Sequence, residues 1–310
     1  MPTPTSAIKV VFGSMTIGRP GDAIRVTTVE GAQKIFDVFQ AHGHSEVDSA
    51  RAYGGGSTEE RLAEINWKSR GLVMQTKLYP TKGKGMSWLT EESYSLSAAD
   101  VRRGFEASMK ALNTDREGRF DRFGISNFTS WEVARICGIA EKNGWVKPSV
   151  YQGLYNAFNR SVEAELIPCL RFYNMSLYAF QPLAGGFLTS KYHRDQTEYE
   201  AGSRFDPSKP LGQLHHGRYI NDRNLYALED ILRPVIKKHG LTEAECGLRW
   251  MAHHSFMKKE LNDAVIVGAS SPEQLEQNLK DLEKGSLPNE VVEALERCWN
   301  HISGVYKYFH

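Results

Sequence analysis

Short runs of β-branched and apolar residues alternate with helix-period segments seven times along the chain, and this alternation restricts the fold more than any other feature. A strand followed by a helix, repeated many times, is typical of a parallel sheet with helices packed against it. The pattern therefore predicts seven strands, which fall within residues 8–13, 45–50, 71–78, 122–126, 149–155, 176–183 and 264–270.

Four predicted helices begin with the spacing of a capping box. In this motif a side-chain oxygen accepts from an otherwise unpaired backbone N–H, and an acid or amide three residues later reaches back. The pairs are Ser57 with Glu60, Thr129 with Glu132, Thr242 with Glu245, and Ser271 with Gln274. Pro272 adds the residue favoured at a first helical position.

Repeated strand–helix units close either as an eight-stranded barrel or as an open doubly wound sheet. The open form usually carries GxGxxG after its first strand, whereas here that strand ends in Phe12-Gly13-Ser14-Met15 and no such motif follows. The run Gly54–Gly56 lacks the Lys-Ser/Thr of a phosphate loop, which makes a flexible turn the stronger interpretation. The sequence therefore favours an α/β barrel.

Composition excludes several functional classes. A formal net charge of +1 over 310 residues gives no electrostatic basis for binding nucleic acid or an anionic membrane. We expect no membrane span, no secretory leader and hence a cytoplasmic protein. The four cysteines lack the spacing of a zinc site, so we expect free thiols and no metal.

The chain shows no linker or shift in composition that would divide it. We expect one domain over residues 1–310, with a C-terminal helix and tail at 286–310. The single long irregular stretch, 191–223, exceeds the loop length that compact domains usually tolerate without a functional reason. We predict that it forms a loop over a ligand site.

Two stretches, EVDSARAYGGG (46–56) and VMQTKLYP (73–80), place polar side chains at or just beyond strand ends. Asp48, Tyr53 and Lys77 have a spacing that suits a meeting at one rim of a parallel sheet. A carboxylate and an ammonium beside a phenol can tune it as a proton donor. The sequence therefore predicts an acid–base site at that rim.

Three further stretches carry a family resemblance: NGWVKPSVYQGLYNA (143–157), YAFQPLAGGFLTSKY (178–192) and LRWMAHHS (248–255). From about residue 8 onward the chain resembles the aldo-keto reductases, and it is most similar to the aflatoxin-aldehyde reductase group. The resemblance implies a TIM-type (β/α)8 barrel that binds NADPH and reduces an aldehyde or ketone. Secondary-metabolite biosynthesis or carbonyl detoxification would be the setting, and a homodimer is compatible with it.

The resemblance also implies roles for individual residues. Tyr53 would protonate the substrate carbonyl, Lys77 would lower the pKa of the phenol, and Asp48 would hold Lys77 and contact the cofactor. Phe180 stands at the position that stacks on the nicotinamide, where the family usually has Tyr. The other implied cofactor contacts are Ser126, Asn127, Gln152, Gln181, Leu183, Gly185, Gly186, Lys191, Arg204, Gly268, Ser270, Gln274, Gln277 and Asn278. Arg218 would contact substrate, although solvated surface charge is the alternative for both arginines.

One departure from the family pattern affects both fold and function. The chain passes from MKALNTD (109–115) directly into REGRFDRFGISNF (116–128), so an internal strand–helix unit of about 30 residues is missing between about residues 113 and 118. Removing a strand must either strain the ring into seven strands or leave two edges unpaired. We expect a partly open barrel. A skipped exon or faulty gene model would produce the same loss.

The missing unit is the one that carries the family's catalytic histidine, which hydrogen-bonds the substrate carbonyl. None of the ten histidines stands in an equivalent motif. Two hypotheses follow: an NADPH-dependent reductase working with Asp48, Tyr53 and Lys77, or a catalytically weak NADPH-binding protein with a binding or regulatory role. Turnover measured beside NADPH binding separates them.

Overall fold

A computed structural model describes residues 2–84, 86, 89–114, 120–304 and 306–308. Its sheet contains seven strands, one inside each predicted run. They are β1 (Lys9–Gly13), β2 (Glu46–Asp48), β3 (Val73–Gln75), β4 (Gly124–Ser126), β5 (Val150–Leu154), β6 (Ser176–Phe180) and β7 (Ala264–Val267).

Eleven α-helices lie in the described part of the chain. They are α1 (Val29–Ala41), α2 (Ser57–Glu64), α3 (Ala98–Ala111), α4 (Ser130–Asn143), α5 (Leu166–Phe172), α6 (Pro210–Tyr219), α7 (Asp222–Tyr226), α8 (Arg233–Lys238), α9 (Glu243–His253), α10 (Pro272–Glu283) and α11 (Asn289–Ile302). A π-helical segment, Ala227–Leu232, joins α7 to α8. No helix in these described ranges is long and apolar enough to cross a membrane.

All strand pairs in the sheet are parallel, and the strand order is β3-β2-β1-β7-β6-β5-β4. The first and last strands of the sequence are therefore neighbours, as in a barrel, and the sheet curls. Its two ends are β3 and β4, which are consecutive in the sequence but do not pair. The fold is a (β/α)8-type barrel with one unit missing, and it is open where that unit would lie. The junction at 113–118 lies mostly outside the described residues.

Alternation along the strands separates an outer core from a barrel interior. On β1, Val10 and Phe12 belong to the large core between strands and helices, whereas Val11 belongs to a small interior cluster with Tyr178 and Ile266. The Phe12 ring packs against Phe36 of α1 with ring centroids 5.3 Å apart. A period of two along each strand requires this division.

A polar network fills the barrel end at which the strands begin. Lys9 pairs with Glu46 and also donates to the Tyr178 hydroxyl at 2.8 Å. That hydroxyl donates to Glu46 at 2.8 Å, and Arg122 donates to it at 2.8 Å. In parallel α/β barrels the ligand site lies at the opposite end, where the strands finish.

Two local predictions were wrong in part. Ser57 is the first residue of α2 rather than its cap; the capping position is Gly56, and the Ser57 hydroxyl donates instead to the Gly54 carbonyl at 2.6 Å. The stretch 191–223 is not wholly irregular, because α6 lies within it. Thr129 and Glu132 do form a capping box, and Pro272 does occupy the first turn of α10.

Candidate active site

Asp48, Tyr53 and Lys77 meet where β2 and β3 end. The Lys77 ammonium donates to both carboxylate oxygens of Asp48, at 2.8 and 2.7 Å, and to the Ser49 carbonyl at 2.9 Å. Its Nζ lies 4.4 Å from the centroid of the Tyr53 ring. The three side chains therefore form the contiguous carboxylate–ammonium–phenol group that their spacing predicted.

Further bonds hold Asp48 in place. The Gln152 side chain reaches across the barrel from β5 and donates to Asp48 Oδ1 at 2.8 Å. The Ser14 hydroxyl, just after β1, donates to the Asp48 carbonyl oxygen at 2.7 Å. Asp48 is buried, and these donors satisfy acceptors that burial would otherwise leave unpaired.

The pKa values of the phenol and the ammonium are both raised. Burial raises the pKa of the Tyr53 phenol, and the Lys77 charge, which lowers it, only partly offsets this effect. Lys77 thus lowers the pKa of Tyr53, as expected, but the net shift of that pKa is upward. For Lys77, burial lowers the pKa, yet attraction to Asp48 and Tyr53 outweighs burial and raises it. At neutral pH the phenol keeps its proton and the ammonium its charge.

The loop that carries Tyr53 is anchored by Arg51, a residue that was not predicted to belong to the site. Its guanidinium donates to the fully buried Glu59 of α2 at 2.7 Å and to Glu92 at 3.1 Å. Gly56 has φ +95°, and a Cβ there would collide with the Arg51 guanidinium. The position of Arg51 between Asp48 and Tyr53 was the only signal for this role in the sequence.

Most of the predicted cofactor residues line one cavity with the three central side chains. The cavity has a volume of about 2960 Å³, well above the 300–1,000 Å³ typical of ligand pockets. The predicted residues that line it are Asp48, Tyr53, Lys77, Ser126, Asn127, Gln152, Phe180, Gln181, Leu183, Gly185, Gly186, Lys191, Arg204, Gly268, Ser270, Gln274 and Asn278.

Two predicted residues lie elsewhere. Gln277 is exposed on α10 and donates to Asp281 at 3.0 Å. Arg218, on α6, is also outside the set that lines the cavity, and its carbonyl oxygen accepts from the Tyr306 hydroxyl at 3.0 Å. The structure does not bring either side chain to the central group, and their roles remain predictions.

Two amides that line the cavity have a buried polar atom without a hydrogen-bond partner among the described residues. They are Oδ1 of Asn127, just after β4, and Nδ2 of Asn278 on α10. Asn127 also has φ +62°. Unpaired buried amide atoms are costly, and strained backbone is commonly retained at binding sites. Both amides are therefore available to a ligand.

The segment after β6 is held in a strained conformation. Gln181 has φ +55° and Ala184 has φ +53°, both unusual for residues with a side chain. Gln181 Oε1 accepts from the Tyr219 hydroxyl at 3.1 Å, and its Nε2 lies 3.1 Å from His215 Nε2. His215 Nδ1 lies 2.9 Å from the Leu211 carbonyl, so it donates there and leaves Nε2 to accept.

His215 lies within the stretch 191–223. Its contact with Gln181 was not predicted, and no signal in the sequence indicated it. Burial lowers the pKa of His215 to about 4. The ring is therefore neutral at physiological pH, as its two hydrogen bonds require.

Arg204 approaches the site from the stretch 191–223. Burial lowers the pKa of its guanidinium, while Tyr53 acts in the opposite direction. No hydrogen bond or ion pair joins Arg204 to another described residue. By contrast, Lys191 pairs with Glu200 at 3.1 Å on the surface. The part of the stretch 191–223 that carries Arg204 lines the cavity, as predicted.

Comparison with known proteins gives a consistent assignment. The model of the aldo/keto reductase family matches residues 115–300. The chain is 45% identical to the aldo-keto reductase pigE of Monascus ruber, with 99% of each chain covered. It is 35% identical to aflatoxin B1 aldehyde reductase member 2 of Mus musculus, over 94% of this chain and 85% of the relative. It is 30% identical to the oxidoreductase sirO of Leptosphaeria maculans, over 94% and 93%.

These matches agree with what the fold and the site indicate separately. The curled parallel sheet places a phenol, an ammonium and a carboxylate together where the strands end, and the relatives cover nearly the whole chain. The resemblance to aldo-keto reductases and to the aflatoxin-aldehyde reductase group is confirmed. This chain belongs to the aldo/keto reductase family of oxidoreductases, which act on small carbonyl substrates.

Proposed function

We propose that the protein is an NADPH-dependent reductase of an aldehyde or ketone, with Tyr53 as the proton donor. The observation that carries the proposal is the Lys77 ammonium, which bonds both oxygens of Asp48 and lies 4.4 Å from the Tyr53 ring centroid. Reduction of a carbonyl needs a proton at the oxygen as well as a hydride at the carbon. A protonated phenol beside a fixed cation supplies the former.

The three side chains divide the proton chemistry between them. Tyr53 keeps its proton at neutral pH because burial raises its pKa, so it arrives at the reaction in the acid form. Lys77 stabilises the phenolate that forms when the proton leaves, because its charge favours the ionised ring. Asp48 fixes the ammonium in position and balances its charge. Gln152 and Ser14 orient Asp48.

The residues at one end of the cavity fit a nicotinamide. Asn127 Oδ1 has no partner among the described residues and can accept from a carboxamide. Ser126 and Gln152 lie on neighbouring strands in register with each other, and the Phe180 ring stands at the end of β6. The cofactor, when bound, supplies the hydride.

The residues at the other end fit phosphate groups. Gly185 and Gly186 have φ +71° and +108°, conformations that let backbone N–H groups approach an anion closely. The Arg204 guanidinium points toward Gly268, at the start of the segment that leads into α10. Asn278 Nδ2 is unpaired within the described ranges. A half-buried cation without a counter-ion among the described residues favours an anionic ligand.

No histidine among the described residues lines the cavity. We therefore propose that Tyr53 is the sole acid and that no imidazole helps to orient the carbonyl. Orientation by fixed groups contributes strongly to rate, so we expect lower turnover than in a complete family member. The proposed substrate is an aldehyde or ketone, for example a secondary metabolite or a toxic aldehyde. We place the reaction in the cytoplasm, which the four free cysteines support.

Turnover of a panel of aldehydes and ketones with NADPH, measured beside an NADPH titration, tests the proposal. Tyr53→Phe should reduce turnover by about 10²-fold or more, since it removes the acid, and leave NADPH affinity within about threefold. Tyr226→Phe, at an exposed helix position, is the matched control. Turnover that survives Tyr53→Phe would refute the assignment. NADPH binding without any turnover would favour the regulatory alternative.

A further inference from the structure

The opening between β3 and β4 continues the active-site cavity to the side of the barrel. We call it the side cleft; it is bounded by β3 and β4 and by the facing sides of α3 and α4. Apolar residues that line it include Val73, Met74, Phe105, Met109, Phe120, Phe123, Ile125, Trp131 and Ile136. Neither β3 nor β4 contains a buried residue, whereas every residue of β7 is buried. The cleft therefore exposes parts of the barrel that are normally covered.

Each strand edge at the side cleft offers backbone groups in the pattern of a parallel ladder. On β3, Val73 N–H donates to Ser45 and the Gln75 carbonyl accepts from Ser49, so these two residues face β2. Successive residues of a parallel strand face alternate neighbours. Met74 and Thr76 consequently direct their N–H and C=O groups into the cleft.

The free edge of β4 has the same pattern of backbone groups. The Phe123 carbonyl accepts from Ser149 N–H, so Phe123 and Ile125 face β5. Gly124 and Ser126 then face the cleft with their backbone groups. Two parallel edges thus point toward each other, and a single additional parallel strand would satisfy both.

Helix α3 presents an apolar stripe to the side cleft. Val101, Phe105 and Met109 recur at intervals of four, while the only buried residues of this helix are Gly104 and Ser108. A stripe with this spacing normally packs against a neighbouring element. Phe105 packs edge to face on Phe120 and Met109 contacts the main core, whereas Val101 is exposed. A helix lying over the cleft between α3 and α4 would cover the exposed part of this stripe.

The exposed apolar area is large enough to matter for binding. Val73 is 50% exposed, Phe120 59% and Trp131 61%, and Val101 and Phe123 are also exposed. Together these side chains expose on the order of 500 Å². This lies at the upper end of patches on monomers, and a stable interface buries about 800 Å² per partner.

The charge of Arg122 restricts which segment can bind in the side cleft. Arg122 lies just before β4, and its guanidinium donates to the Tyr178 hydroxyl at 2.8 Å and the Ser176 hydroxyl at 3.0 Å. No carboxylate of the described residues pairs with it. A strand that adds parallel to β4 would begin near Arg122, so an acidic residue at its start would complement this charge.

We propose that the side cleft binds a strand–helix segment of another polypeptide. The strand adds in parallel between β3 and β4, and the apolar face of its helix covers the stripe of α3 and Trp131 of α4. The length of such a segment agrees with the comparison to pigE, whose alignment spans 340 positions although this chain has 310 residues. At least 30 positions therefore belong to the relative alone, about the size of one barrel unit.

A second copy of this chain is a poorer occupant. Every strand of the described part already belongs to the sheet, and β3 and β4 are its two edges. Two copies that met edge to edge across a two-fold axis would pair one edge of each and leave the other edge open. A separate strand–helix segment satisfies both edges at once. This inference concerns binding at the cleft and does not depend on the proposed reaction.

A synthetic peptide tests the proposal with the full chain. The probe is a peptide of about 30 residues from the part of pigE that follows its counterpart of α3, where one barrel unit is missing from this chain. Titration calorimetry should give one site with a Kd of about 10 μM or tighter. Saturating peptide should raise Tm by several degrees, because it binds only the folded state. A scrambled peptide and one with proline at alternate strand positions should not bind, since proline removes ladder donors.

Two exposed tryptophans provide matched variants. Trp131→Glu, in the cleft, should weaken peptide binding at least tenfold, whereas Trp145→Glu, 65% exposed and outside the cleft, should not change it. Phe120→Asp repeats the test if Trp131→Glu fails to fold. The proposal is overturned if the peptide does not bind, if the scrambled peptide binds equally well, or if the cleft variants instead abolish a concentration-dependent dimer of the free chain.

Discussion

The ion pair between Lys77 and Asp48 makes a quantitative prediction about stability. The closest atoms lie 2.7 Å apart, with the Lys77 side chain 28% exposed and that of Asp48 5% exposed. At an effective dielectric constant of about 20, two unit charges at that distance attract by about 6 kcal/mol, most of which offsets their desolvation. The net value of the pair is small, but removing one partner leaves the other charge uncompensated.

Lys77→Met should lower the free energy of unfolding by about 3–5 kcal/mol, because it leaves the buried Asp48 carboxylate without its cation. The double variant Asp48→Asn/Lys77→Met should recover about 2 kcal/mol or more of that loss, since no uncompensated charge remains. Urea unfolding of the wild type, both single variants and the double variant measures the coupling. All three variants should lack turnover, so recovered stability without recovered activity separates folding from catalysis.

An exposed ion pair serves as the control cycle. Lys147 and Glu141 lie 2.6 Å apart with both side chains substantially exposed, and Lys147→Met with Glu141→Gln should show no coupling beyond experimental error. Strict additivity at Asp48 and Lys77, within about 0.5 kcal/mol, would refute the argument that burial makes this pair interdependent.

Three further outcomes are expected. Gln152→Leu removes the 2.8 Å bond to Asp48 and should cost about 1.5–3 kcal/mol in urea unfolding, together with a fall in kcat. Gly185→Ala should weaken NADPH binding in a fluorescence titration and lower Tm, because Gly185 has φ +71° and the new Cβ would lie 2.5 Å from a histidine ring. The control Gly138→Ala, at a helix position where the new Cβ meets open space, should change neither NADPH binding nor Tm. Burial lowers the pKa of His44 to about 4, so the folded state binds fewer protons than the unfolded state below pH 6.5. The contribution of neutral His44 to the free energy of unfolding is therefore fully present above pH 6.5, and it should fall by up to about 3 kcal/mol as the pH drops toward 4. In the variant His44→Phe, urea midpoints measured across that pH range should not show this loss.

The strands were predictable because each is a short apolar run that lies next to a helix-period segment. The boundaries were less so, and the two edge strands illustrate why. The run 71–78 predicts a strand of eight residues, but β3 spans only Val73–Gln75. β3 is an edge strand, and only the three residues that pair with β2 have strand geometry, so the strand is shorter than the apolar run that predicted it. Ser57 does not cap α2, because the glycine turn before it already directs the chain into the helix.

The central group of the site was predictable because its members follow two strands that are adjacent in the barrel. The sequence did not predict the roles of Arg51, Ser14 and His215. Each of these residues acts through contacts with residues that are distant in the sequence or through a backbone carbonyl. The upward net shift of the Tyr53 pKa was also outside the reach of the sequence, which contains the charge of Lys77 but not the extent of burial.

The sequence alone determined the alternation of strands and helices, the parallel barrel-like sheet, the absence of one unit and the three polar residues at the strand ends. These follow from local patterns and from a resemblance that needs no coordinates. Only the tertiary structure decided how the chain responds to the loss: β3 and β4 stay apart as open edges instead of closing a strained ring of seven strands. The physical reason is that closure depends on tilt and stagger shared by all strands, a global condition that no local segment encodes.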